Sequence, residues 1–104
     1  MVFKVLVTDE AALDLQKHAD LIAKDSVLYS QKWFEEAWNK IFSLRENPLR
    51  NAVTDIGVKM EIELREMLHY SHRIFYWVDE STSTVEVLRI WHQARQDIQR
   101  SDLN

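Results

Sequence analysis

The sequence predicts an α+β fold: an N-terminal strand, then an antiparallel helical hairpin packed on a mainly antiparallel β-sheet. Apolar residues recur at helical spacing through two long stretches of the first half. β-branched and aromatic residues fill short runs in the second half, separated by brief polar connections. At 104 residues the chain is sized for one domain, 1–104, with a polar tail from about residue 96.

Residues 2–7 (VFKVLV) read as the first strand, rich in β-branched side chains. Thr8 is placed to cap a helix whose first turn carries Asp9 and Glu10, where the helix dipole favours negative charge. Ala12, Leu15, Ala19, Ile22 and Ala23 carry that helix to about Asp25. Asp25-Ser26 breaks it and offers a second cap. The stripe Phe34, Ala37, Trp38, Ile41 and Leu44 then predicts a second helix to about Glu46, ended by Asn47-Pro48 because a residue before proline avoids helical angles. The connection is short, so the two helices pack antiparallel. Gly57 reads as a turn, and the alternation in residues 58–63 (VKMEIE) reads as the start of a strand.

Three strands follow, over residues 64–69, 73–78 and 84–91, the last two joined by the polar loop 79–83. Ile74, Tyr76 and Val78 alternate with Phe75 and Trp77, so the middle strand is apolar on both faces and is expected to be central and covered on both sides. In the last strand Val85, Val87 and Arg89 are expected on one face, with Glu86, Leu88 and Ile90 on the other. The tail from Gln93 reads as a short helix or as disordered chain.

Composition excludes several functions. There is no cysteine, hence no disulfide, thiolate nucleophile or cysteine-based zinc site. No apolar run reaches membrane-spanning length, residues 1–7 are too short for a signal-peptide core, and cytoplasmic residence is expected. Thirteen basic against seventeen acidic residues give a net charge of −4, which disfavours a broad nucleic-acid-binding face. Four tryptophans, Trp33, Trp38, Trp77 and Trp91, imply a tight core or an apolar face needing cover.

The order of elements, with these residues, resembles the ParE/RelE superfamily, the toxin halves of bacterial type II toxin–antitoxin pairs. Val5-Leu6-Val7-Thr8-Asp9-Glu10-Ala11 with Asp14-Leu15 is similar to the family's strand-to-helix opening. Asp20-Leu21-Ile22-Ala23 resembles the end of its first helix, and Ser43-Leu44 with Asn47-Pro48 the exit of its second. Leu64-Arg65-Glu66-Met67 resembles its Arg-Glu-Leu strand. His72-Arg73-Ile74-Phe75-Tyr76-Trp77-Val78-Asp79 is similar to its Tyr-Arg-Ile-Phe-Tyr-x-Val strand. Val87-Leu88-Arg89-Ile90-Trp91-His92 with Arg95 resembles the final strand and the His-x-x-Arg of ParE-type chains. The resemblance implies a plasmid-stabilisation type of toxin that arrests growth when free and is silenced by a cognate antitoxin in a hetero-oligomer.

Two mechanisms come with the resemblance: RelE-type cleavage of mRNA on the ribosome, and ParE-type inhibition of DNA gyrase without catalysis. Metal-free RNA cleavage needs a proton acceptor, cations on the phosphate and a proton donor. His92 is the candidate acid or base, with Arg73 and Arg89 beside it on the sheet, and Arg65, Arg73, Arg89 and Arg95 are candidates to grip a phosphate or a target. The plainer reading pairs Arg65, Arg73 and Arg89 with Glu63, Glu66 and Glu86 as surface ion pairs. His69 and His72 flank a tight turn, and His18 is expected on a helix flank. No His-x-x-x-His spacing occurs, so neither a metal nor a cofactor is expected. Phe34 and Trp38 lie on the core stripe, whereas Trp33 and Phe42 lie off it and are candidates for antitoxin contact. The His92-x-x-Arg95 ending and the acidic charge favour gyrase inhibition; the alternatives are a ribosome-dependent mRNA endonuclease and a non-toxic relative.

Overall fold

The computed structural model describes residues 2–103. Strand β1 (Lys4–Val7) leads into helix α1 (Asp9–Ala23), helix α2 (Val27–Ser43), a 3-10 turn at Pro48–Arg50 and helix α3 (Asp55–Met60). Strands β2 (Arg65–His69), β3 (His72–Asp79) and β4 (Thr84–His92) follow, and a second 3-10 turn covers Arg100–Leu103. The expected α+β hairpin-on-sheet architecture is present. Thr8 caps α1 by accepting from the Ala11 amide at 3.1 Å, and Ser26 caps α2 by accepting from the Tyr29 amide at 3.1 Å. A buried hydrogen bond from Ser30 Oγ to the Ala19 carbonyl, 2.6 Å, ties the two helices together.

The sheet order is β1-β4-β3-β2, antiparallel except for β1, which pairs parallel with β4. One face carries the hairpin. Ala11 and Leu15 of α1 and Trp33, Ala37 and Ile41 of α2 close over Ile74, Tyr76, Val85, Val87 and Ile90. The opposite face holds a second core of Phe75, Leu88 and Trp91 with Leu64 and Ile98, covered by Ile56, Met60, Ile62 and Leu103. Strand β3 therefore is central and buried on both sides over most of its length, as its sequence predicts.

Two expectations change. Residues 58–63 do not start a strand: Thr54 accepts from the Gly57 amide at 2.9 Å, caps a helical turn and makes α3. Gly57 sits inside that helix, buried, where a Cβ would stand 2.9 Å from both the Ile62 carbonyl oxygen and Leu64 Cβ. The facing pattern of β4 is also re-phased. Phe75 pairs with Arg89 but Tyr76 pairs with Val87, so Leu88 is an extra residue in a bulge. Ile90 therefore joins Val85 and Val87 on the helix side, while Leu88 and Trp91 turn to the second core. The tail is ordered as the closing 3-10 turn, anchored by Ile98, which is 1% exposed.

Candidate functional site

Three histidines converge where α1 crosses the ends of β3 and β4. His72 pairs with His92 across the β3–β4 ladder, with ring centroids 4.9 Å apart. His18 descends from α1 to within 4.0 Å of the His72 ring and 6.3 Å of the His92 ring. Trp33 closes the group from α2, 4.6 Å from His18 and 5.4 Å from His72, with His69 of β2 on its far side at 5.1 Å. His69 donates from Nε2 to the Trp33 carbonyl at 3.0 Å, the only role a carbonyl partner leaves that nitrogen.

Burial sets the charge of this group. His72 is held down to a pKa of about 4, mainly by burial and then by repulsion from His18, His92 and His69, against which Asp14 acts weakly. Burial also lowers His18, with His92 adding repulsion, and lowers His69 against the pull of the Trp33 carbonyl. Burial thus favours the neutral forms of His18, His69 and His72. His18 stands at the flank of α1, half-buried, with its ring turned against His72. Position 18 stands beside the buried line Ala11, Leu15 and Ala19, three residues after Leu15, and so on the side of α1 that faces the sheet.

Of the four candidate arginines, only Arg95 lines a cleft with His92. Arg73 holds Glu66 at 2.7 Å and lines an open groove of about 620 Å³ formed by residues 51–56, Lys59 and Asp97. His92 lines a different cleft. Arg89 is bound to Asp14 of α1 through two contacts, Nε to Oδ2 at 2.7 Å and Nη2 to Oδ1 at 3.0 Å, and also donates to the Asp102 carbonyl at 3.0 Å. This bond raises the Arg89 pKa further and fixes the side chain at 16% exposure. Arg65 donates to the Leu49 and Asn51 carbonyls and pins the loop after α2. Arg95 alone of the four has neither an anion nor a carbonyl among the described residues; its guanidinium lies 3.7 Å above the Trp91 ring. Of the cross-strand pairs expected, Arg73–Glu66 is made, whereas Glu86 accepts from Trp77 Nε1 at 3.0 Å.

Asp14, which the sequence shows only as part of the strand-to-helix opening, is the hub of this end of the fold. Strand β1 stops at Val7, opposite Val87, so β4 has no ladder partner on that side beyond it. Thr8 Oγ1 donates to the Leu88 carbonyl at 2.9 Å, and the Ile90 amide donates to Asp14 Oδ2 at 3.0 Å. A carboxylate on α1 replaces the missing strand.

The aromatic residues of α2 are distributed differently from the expectation. Trp33 is 3% exposed and belongs to the core, so it is not available to an antitoxin. The buried line of α2 runs through Ser30, Trp33, Ala37 and Ile41, one position round from the stripe read in the sequence. Phe34 and Trp38 are consequently only half-buried, and Phe42 is 48% exposed. Phe34, Trp38 and Phe42 form a continuous strip, with centroids 6.1 and 5.7 Å apart.

Together these features define a class: a small sheet carrying a helical hairpin, without a metal-holding cluster among the described residues. Over residues 5–97 the chain matches the family model described as the ParE toxin of the type II toxin–antitoxin system parDE. The chain belongs to the ParE toxin family and is the toxin component of a type II toxin–antitoxin system. It is also similar to a chain in the crystal structure of the RelBE2 toxin–antitoxin complex from Mycobacterium tuberculosis, with a TM-score of 0.59 and 22% identity, covering 91% of this chain and 95% of that one. At that identity the likeness concerns the fold. No curated protein matches the chain.

Proposed function

We propose that this toxin arrests growth by binding DNA gyrase without catalysis, in the cytoplasm, and is neutralised by a cognate antitoxin. The observation that carries the choice of target is the state of the arginines. Arg65, Arg73 and Arg89 are held by carbonyls, Glu66 and Asp14 respectively, and Arg73 and His92 open into separate clefts. An RNA-cleaving centre built on Arg73, Arg89 and His92 would need all three around one phosphate. The net charge of −4 also suits a protein target better than ribosomal RNA.

The strip Phe34, Trp38 and Phe42 is the surface proposed for the antitoxin, whose apolar anchors would cover it as a helix or extended segment. The RelBE2 relative is seen in complex with its antitoxin, which supports a partner of this kind. The test is a purified-component comparison: gyrase supercoiling with added toxin, beside translation of a reporter message on ribosomes. Loss of supercoiling with intact messages is expected. Cleaved messages with unaffected supercoiling would overturn the reading in favour of a RelE-type endonuclease, and no effect on either would make the chain a non-toxic relative.

A further inference from the structure

We propose that the small cleft between α1 and the end of β4 is a binding site for a phosphoryl oxyanion, formed by Lys17, His18, His92 and Arg95 over a floor of His72. It uses none of Arg65, Arg73 and Arg89, the arginines on which the choice of target above rests.

The cleft has a volume of about 150 Å³ and is lined by Asp14, Lys17, His18, Leu21, His72, Ile90, His92 and Arg95. At ~30 Å³ for each water, that is the room of about five waters, which suits one tetrahedral anion and not a nucleoside. Its charge is unbalanced. Both oxygens of Asp14, the lining carboxylate, are taken up by Arg89 and the Ile90 amide. Lys17 and Arg95 have no anionic partner among the described residues. Arg95 is held in place by stacking on Trp91, so its N–H groups are pre-positioned at little entropic cost. A locally cationic cleft on a chain of net charge −4 stands against the general field of the molecule.

The imidazoles supply donors even when neutral. His92 Nδ1 accepts from the Ala94 amide at 2.9 Å, which places the ring proton on Nε2 and leaves that N–H as a donor. His72 is 4% exposed, and its Nδ1 has no partner among the described residues. His18 and His92 stand 6.3 Å apart between ring centroids, on either side of His72. An anion set between them also offsets the repulsion from His92 that disfavours the charged form of His18. Binding must then couple to proton uptake. The other charged groups near the cluster, Glu36 and Lys40, act on His69 beyond Trp33 and oppose each other.

The experiment is an NMR titration of the four histidine Cε1–H signals with inorganic phosphate at constant ionic strength, assigned through single His→Gln variants. Saturable shifts at His18 and His92, with His69 unmoved, are expected. Lys17→Gln and Arg95→Gln alter exposed side chains, keep the fold, and should each weaken binding about ten-fold, the worth of one charge-assisted hydrogen bond. Sulfate, whose charge is constant across the range, should bind more tightly as the pH is lowered from 8 to 6. A 5′-phosphorylated oligonucleotide and its unphosphorylated twin separate the sources: preference for the former assigns a terminal phosphate, equal competition a backbone phosphate. Shifts that do not saturate, or that survive loss of both Lys17 and Arg95, would overturn the proposal.

Discussion

The Asp14–Arg89 pair is the contact whose removal tests the account of the fold most sharply. Its side chains are 13% and 16% exposed, its geometry is bidentate, and Asp14 also receives the Ile90 amide. Breaking a buried pair by removing one partner costs about 3–5 kcal/mol, because the other charge is left stranded. Slight exposure lets water reach Arg89, so about 2–3 kcal/mol is expected for Asp14→Asn, which keeps an acceptor for Ile90. Asp14→Leu loses that acceptor too and should cost about 1 kcal/mol more. For a chain of this size each kcal/mol moves Tm by roughly 4–8 °C, so Asp14→Asn should melt roughly 8–24 °C lower. The double variant Asp14→Leu/Arg89→Met replaces both charges with apolar groups and should recover most of the loss. Urea and thermal unfolding followed by circular dichroism measure all four corners. An Asp14→Asn variant within about 0.5 kcal/mol of the parent, or a double variant as weak as the sum of the singles, would refute the reasoning.

Gly57→Ala should destabilise: the new Cβ meets the Ile62 carbonyl oxygen at 2.9 Å, and an overpacking cost of about 1–3 kcal/mol exceeds the ~1 kcal/mol gained in helix propensity, as urea midpoints will show. The pH profile carries a sign. His72 titrates near 4 in the folded chain against an ordinary 6.5, so the unfolded chain takes up the proton first. Its contribution is present above pH 6.5 and is lost as pH falls towards about 4, amounting to about 3 kcal/mol; His72→Asn should flatten that part of the urea-stability profile, and parallel profiles would contradict it. Trp33→Ala should cost about 3–5 kcal/mol of stability, as buried aromatic truncations do. Phe42→Ala should leave the melting temperature within a few degrees while weakening antitoxin binding in calorimetry, and a reversed pattern would remove the strip from consideration.

The sequence by itself determined the architecture, because local signals and global packing agree there. Thr8 and Ser26 are caps by chemistry, Asn47-Pro48 stops a helix by sterics, and the doubly apolar run through Ile74, Phe75 and Tyr76 has no stable place except the middle of a covered sheet. Only α3 was misread, since its single capped turn holds too few residues to display a period. Tertiary structure decided the sites. A bulge at Leu88 shifted the phase of β4, and a rotation of one position on α2 exchanged the fates of Trp33 and its neighbours; neither is visible to a pattern that assumes regular geometry. Charge partners were settled across 75 residues of chain, where Asp14 claims Arg89. The histidines gather from positions 18, 69, 72 and 92 because four elements meet there. Local sequence sets which way a side chain faces, but which groups face one another depends on the register and docking of elements distant in the chain, and those are fixed by the packing of the whole core.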